Sequence, residues 1–471
     1  MSLLRHGLLP PRVLCLLVFA LALAPRLALV FRAPAFIIGD SENYFFPGYQ
    51  LARQIGFDLD LRRTPGYPLF VAFVVSNVAE DLSALLLAQH VLGALGCAGV
   101  ALLGTRLYGR LAGLLAGLAC AVASPLIVSE HFVMAEALFV PLSVLVALAA
   151  CWSIERPGWP RGALAGLLIG VAALTRPVAL VLAVAYAVAL YVRERSLRRF
   201  VVRVAPAALA IAVLLIPWMA RNALVHGNFS ADGNGGQTLV GRAMRHDRGF
   251  AFENPDDPDP ARQRARALMR QGRGGFVSPV RERIQRELGL SEAQANRLMR
   301  DLAVEAILRQ PLYYVTGSLG SFWRLASGVS EDARTLWAYR RDARNREEWE
   351  GHIEIRHLLG PPTPLQEGQL GEALWLFNLF QPGWLGPLLP ILAIAGVVAG
   401  WRSPARGPAT FLALAVLGYL GAAAALVAPL PRYGYPAVPW LLLLAAGGSV
   451  GIPTIVRDLR RRGRPTATST A

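Results

Sequence analysis

Charged side chains are sparse in the apolar stretches of this chain, and the exceptions are of two kinds. Carboxylates occur as Asp40 and Glu42 in GDSENY and as Glu136 in SEHFVMAEALF. Guanidinium groups occur as Arg62 and Arg63 in RRTPGYPLF, Arg176 in AALTRP, Arg221 in PWMARN and Arg432, beside Tyr433, in RYGYP. The planar fork of arginine matches phosphate oxygens in bidentate fashion. A carboxylate can take the proton of an attacking hydroxyl. One base with several arginines is what displacement at the anomeric carbon of a phosphosugar requires, because the leaving phosphate needs cations rather than an acid. A lipid-linked phosphosugar would present that phosphate at headgroup depth.

Each residue also has a plain structural reading. Asp40 can simply cap the helix that GDSENY begins. Glu136 can pair with a nearby arginine, Arg176 and Arg432 can snorkel to headgroups, and Arg26 can do the same near the end of its span. His131 can be a polar interface residue. The joint arrangement says more than any member.

The elements that must position these groups are membrane spans. The 471 residues are 54% hydrophobic and 17% charged, a membrane composition. The net charge of +16 is all arginine, with no lysine, and it sits mostly beside apolar runs, so it reads as topology and no nucleic-acid partner is expected. The four cysteines, Cys15, Cys97, Cys120 and Cys151, fall inside apolar segments without CxxC or metal spacing, which argues against disulfides and a zinc site. Runs near the roughly 20 residues needed to cross a bilayer predict an all-α bundle of about 10 spans. They lie at about 12–31, 83–106, 110–128, 132–152, 161–175, 177–192, 200–220, 384–400, 408–428 and 434–451. The first run is expected to be an uncleaved anchor, since no small-residue cleavage site follows it.

Arginine-rich short loops (TRLYGR, SIERPGWPR, VRERSLRR, WRSPARG) fall on one side if the spans alternate, and the positive-inside tendency makes that side cytoplasmic. Asp40, Glu42, Arg62, Arg63, Ser129, Glu130, His131, Glu136, Arg176, Arg221, Asn222, Arg432 and Tyr433 then reach the opposite, outward face together. A shared cavity there is the economical account of so many ionised groups at membrane depth. The expected organisation is a membrane bundle at 1–220 with its key first exterior loop at 32–82, a mainly helical exterior segment at 221–383, spans at 384–452, and a basic cytoplasmic tail at 453–471.

Within the exterior segment, Ser291 to Gln294 read as a capping box and the helical pattern that follows stops at Pro311. PLYYVTGSLGSFWRL reads as an interfacial stretch. GNFSADGNGGQTLVG, with Asn234, Gly235 and Gly236, reads either as a flexible rim over a ligand or as a plain connection. In the first loop, QLARQIGF is expected to form an interfacial helix, and PGYPLFVAFVV to dip back without spanning.

The order GDSENY, RRTPGYPLF, SEHFVMAEALF, AALTRP, PWMARNALVHGNF and RYGYPAVPWLLLLAA resembles the C-type glycosyltransferases of the family 39 or protein mannosyltransferase-like group. This group includes the aminoarabinose and rhizobial lipopolysaccharide sugar transferases. The likeness covers roughly the first half of the chain and the last span, and 245–380 carry no motif of it. It implies an inverting transfer from a polyprenyl-phosphate sugar to a hydroxyl of a lipid, glycan or protein, in the inner membrane with the site facing outward. It implies Asp40 as catalytic base, with Ser41 next and Glu42 one place later. Glu136 matches the acid near the start of the fourth span, with Glu130 the other occupant. Arg62 or Arg63 takes the place of a phosphate-binding lysine, and Arg432 with Tyr433 that of the last exterior arginine. Arg176 and Arg221 are further candidates for the phosphate. Some members bind a divalent metal, but no ligand set for one stands in this chain, so no cofactor is expected. An exporter or flippase of lipid-linked sugars, or a polysaccharide polymerase or ligase, remain the alternative functions.

Overall fold

The computed structural model describes residues 10–31, 35, 37, 39–233, 235–245, 251–272, 277–327, 358, 386–427 and 431–462. Asn234 and most of 328–385, part of the expected exterior segment, lie outside them.

Among the described residues every element is helical. In chain order they are α1 (Pro11–Val30), α2 (Gly39–Ala52), α3 (Gly66–Asn77), α4 (Leu82–Tyr108), α5 (Arg110–Val122), α6 (Ser124–His131), α7 (Ala135–Glu155), α8 (Trp159–Thr175) and α9 (Leu180–Glu194). There follow α10 (Leu197–His226), α11 (Gly235–Arg245), α12 (Pro260–Gln271), α13 (Val277–Leu288), α14 (Glu292–Arg309), α15 (Pro311–Ser327), α16 (Leu388–Trp401), α17 (Arg406–Leu426) and α18 (Val438–Arg462). Every expected span is a helix, but not all are long enough to cross. Seven qualify by length and apolar composition, α5 and α6 form a pair bent by 49°, and α8 and α16 are shorter.

Small residues let these helices approach closely, as suits packing without a hydrophobic gradient between them. A Cβ on Gly104 would stand 2.8 Å from Gly113 Cα, so α4 and α5 touch backbone to backbone. Gly109 joins them at φ +96°, a left-handed turn open to glycine. Gly166 faces the Ala207 carbonyl, and Gly396 that of Leu444, in the same way.

The first loop departs from expectation. Its helix starts at Gly39 and takes in Asp40 and Glu42, and it ends at Ala52, so that most of QLARQIGF is turn rather than helix. Phe45 of α2 packs with Tyr67, Val71 and Val74 of α3 and with Leu82, Val133 and Ala135, a buried cluster that seats the loop on the bundle. The glycine-rich stretch also departs. Gly235 and Gly236 open α11, and a Cβ on Gly236 would sit 2.0 Å from the Asn296 carbonyl of α14, so the stretch turns helical there and is closely packed at Gly236. Helices α11 to α14 share their own core around Val240, Leu268, Ile284, Met299 and Leu302. The capping box is complete, Ser291 and Gln294 each bonding the other's backbone N–H.

Candidate functional site

Residues far apart in sequence meet at the end of the bundle where α4, α7 and α9 begin and α8 and α10 finish. Asp40 lies in the first turn of α2, and each of its oxygens accepts from a different guanidinium: Oδ1 from Arg63 Nη2 at 2.7 Å and Oδ2 from Arg432 Nη2 at 3.0 Å. Burial works to raise the pKa of Asp40, but Arg63 and then Arg432 outweigh it and hold the carboxyl at about 2. Glu42, two residues on in the same helix, points roughly 200° away from Asp40.

Arg63 is fixed from several sides. Its Nη1 donates to Tyr44 Oη at 3.2 Å, and its Cζ stands 4.6 Å from the centre of the Tyr44 ring. The next residue, Thr64, donates from Oγ1 to the Thr175 carbonyl at 2.9 Å. Gly66 lies so close to Thr175 that a Cβ would come within 2.5 Å of its hydroxyl. The RRTPG turn is therefore docked on the end of α8, and Arg63 and Arg176 arrive side by side.

Arg176 itself leaves the helix because Pro177 disfavours helical backbone in the residue before it. At φ −149° and ψ 118° it is extended, and its guanidinium pairs with Glu136 in the first turn of α7. The Tyr433 ring joins the two halves, with its centre 5.5 Å from Arg176 Cζ and 5.3 Å from Arg432 Cζ. Arg432 Nη1 also lies 3.9 Å from Met134 Sδ, just ahead of Glu136. Arg63 Nε, Arg432 Nε and Glu136 Oε2 are buried without a hydrogen-bond partner among the described residues.

Two of the candidate arginines are drawn elsewhere. Arg62 donates from Nε to Asp60 Oδ2 at 2.6 Å and lies 3.6 Å from Glu292 of α14, which also accepts from Arg281 at 2.5 Å. Burial opposes ionisation of Asp60, yet its bonds with Arg62 hold its pKa below the usual range. Arg221 directs Nη1 and Nη2 to the Leu59 carbonyl, both at 3.3 Å, with Nη1 also 3.1 Å from Asn222 Oδ1. Arg221 clamps the backbone of the loop that presents Arg63, Arg62 ties that loop to α14 through Glu292, and neither is paired with Asp40.

A second charged group gathers Arg26, Glu130 and His131, and adds Gln89 and His90, which residue type and spacing did not single out. Arg26 is fully buried and holds Glu130 with two bonds, Nε to Oε2 at 2.6 Å and Nη2 to Oε1 at 2.8 Å. The plain reading of Arg26 as a snorkelling residue is thereby overturned: it points into the bundle. His90 Nδ1 lies 3.1 Å from Glu130, and His90 Nε2 lies 2.9 Å from His131 Nδ1. Gln89 Nε2 donates to the carbonyls of Glu130 and Phe132 at 2.7 and 3.1 Å, and its Oε1 accepts from Tyr67 at 2.5 Å. This network braces the bend between α6 and α7, just before Glu136. Glu130 pairs with Arg26, whereas Glu136 pairs with Arg176, whose guanidinium shares the Tyr433 ring with Arg432, the partner of Asp40. The signal in sequence was Gln89-His90 in the middle of an apolar span.

Among the described residues no three His, Cys, Asp or Glu side chains gather as a metal site. The groups at hand do not fit a metal, and no step is derived through one.

Residues 62–220 match the family model described as dolichyl-phosphate-mannose-protein mannosyltransferase, a segment that includes Arg63, Glu136 and Arg176 and leaves out Asp40 and Arg432. No curated protein matches the chain. Solved structures similar to it include ArnT from Cupriavidus metallidurans bound to undecaprenyl phosphate, at 16% identity and TM-score 0.38 over 95% of this chain and 79% of that one. The oligosaccharyltransferase of Archaeoglobus fulgidus, in complex with Zn and sulfate, is similar at 12% identity and TM-score 0.41 over 95% of this chain and 50% of that one. The chain thus spans about half the length of that enzyme. Likenesses this distant assign no residue a role. The family match makes residues 62–220 similar to the dolichyl-phosphate-mannose-protein mannosyltransferases and reaches no further along the chain.

Proposed function

We propose that the chain moves a sugar, with inversion, from a polyprenyl-phosphate donor to an acceptor hydroxyl of a lipid, glycan or protein. The carrying observation is Asp40 held between Arg63 and Arg432, with the Arg176–Glu136 pair across the Tyr433 ring. Asp40 takes the proton of the acceptor hydroxyl as its oxygen attacks the anomeric carbon. The bond from that carbon to the phosphate oxygen breaks, and its electron pair leaves with the prenyl phosphate. Arg63, Arg176 and Arg432 hold the phosphate as its charge grows, with no reorganisation at the moment of reaction. Glu136 orients Arg176 and the sugar.

The charge balance supports a phosphodiester donor. Three guanidiniums against two carboxylates leave one positive charge, which a sugar–phosphate–prenyl monoanion neutralises. The family description itself names a lipid-phosphate sugar.

The site end faces away from the cytoplasm in this reading. Arg106, Arg110, Arg156, Arg161, Arg193, Arg195, Arg402 and Arg406 all stand at the other ends of the helices. The chain then lies in the inner membrane, with α11 to α14 beyond the outer leaflet and α15 packed on the bundle, where Leu325 and Ala326 join its core.

The test is donor consumption in proteoliposomes offered polyprenyl monophosphate and diphosphate sugars, with the anomeric configuration of the product read by NMR. The proposal expects a monophosphate donor and inverted product. No consumption of any donor, or retention, would remove it.

A further inference from the structure

Asp40, bonded through both oxygens, is poorly placed to act as a base. Both of its oxygens are engaged in charge-assisted bonds, at 2.7 Å from Arg63 and 3.0 Å from Arg432. A carboxylate so engaged is a weak proton acceptor, which its low pKa of about 2 reflects. The guanidiniums that occupy it are the same two that a donor phosphate would need. Arg63 Nε and Arg432 Nε, both buried, still lack an acceptor among the described residues, so these side chains have N–H groups to offer a larger anion.

We propose that Asp40 is an internal counter-anion of Arg63 and Arg432, and that the donor's phosphate displaces it from both and so releases the base. This rests on the reading of the site as a polyprenyl-phosphate sugar site and adds an order of events to it. The phosphate takes the guanidinium N–H groups; Asp40 loses its partners and gains a negative neighbour, and both changes raise its basicity. The freed carboxylate accepts the hydroxyl proton as the new carbon–oxygen bond forms and the carbon–phosphate-oxygen bond breaks. Once the proton passes to water, Asp40 competes again for the two arginines and favours departure of the prenyl phosphate. Basicity is thereby confined to the donor-bound state.

A carboxylate that holds both arginines costs the phosphate their bonds, so its removal improves ligand binding by more than relief of repulsion between two anions. The experiment titrates undecaprenyl phosphate into wild type, Asp40→Asn and Arg63→Ala in nanodiscs and follows tryptophan fluorescence. The expected result is that Asp40→Asn, although inactive in transfer, binds at least about tenfold tighter than wild type, the size of one lost charge-assisted competitor. Arg63→Ala binds more weakly. Equal or weaker binding by Asp40→Asn overturns the displacement alone and leaves the transfer reading in place. Failure of wild type to bind undecaprenyl phosphate removes the site reading and the displacement with it. Should Asp40→Asn not fold, the pH profiles of the wild type decide. The acid limb of kcat, which reports the complex, must lie at higher pH than that of kcat/KM, which reports the free enzyme. Coincident limbs overturn the displacement.

Discussion

At the scale of single residues, the arginines divide by the acid each one meets. Arg63 and Arg432 meet Asp40, and Arg176 meets Glu136, whereas Arg62 meets Asp60 and Glu292. Arg63→Ala is expected to lower kcat/KM by about 10- to 100-fold, the worth of one charge-assisted bond to phosphate. Arg62→Ala should leave donor KM nearer to wild type, and steady-state kinetics on the pair measure the contrast. Asp40 also links stability to pH. Its pKa is about 2 in the folded chain and roughly 3.9 when unfolded, so its stabilising effect is whole above about 4 and lost as pH falls through about 2. Asp40→Asn should therefore be less stable than wild type at neutral pH, and the gap in Tm should close under acid. Residue type announced the members of this cluster. Which arginine took which acid was not legible, because Arg62 and Arg63 are adjacent and only the fold sends them opposite ways.

Among the elements, the turns that carry arginines matter more than the spans. RRTPG and LTRP are docked by the Thr64–Thr175 bond and by the close approach at Gly66. Gly66→Ala must part the two turns or strain them, at about 1–3 kcal/mol for an overpacked contact. Its activity should fall more than that loss of stability explains, as read by kcat alongside Tm. Lower in the bundle, Arg26→Ala strands the buried Glu130, and breaking such a pair costs about 3–5 kcal/mol. Thermal unfolding in detergent checks it. Pro177 made the break at Arg176 readable from sequence, since it forces the preceding residue out of the helix. The docking of that break on Thr64 was not readable, because it depends on a pairing across |i−j| = 111. Likewise, GDSENY read as a helix start, but Gly236 read as part of a rim or connection when its lack of a side chain serves close packing on α14.

For the molecule as a whole, apolar runs revealed the helices and their order, including the shortness of α8 in the run at 161–175, while the bend at Ala123 was not read from composition. Sidedness can be measured on a cysteine-free chain. A cysteine placed at Glu292 should react with an impermeant maleimide in intact cells, and one at Arg199 should not; the reverse pattern would invert the proposed topology. The proposed function makes Asp40 the proton acceptor of a transfer at the arginine cluster. The most direct measurement is the initial rate of donor consumption by Asp40→Asn and wild type in the same proteoliposomes. The account predicts a rate lower by about 10²- to 10⁴-fold, the usual worth of a positioned base; equal rates would contradict it.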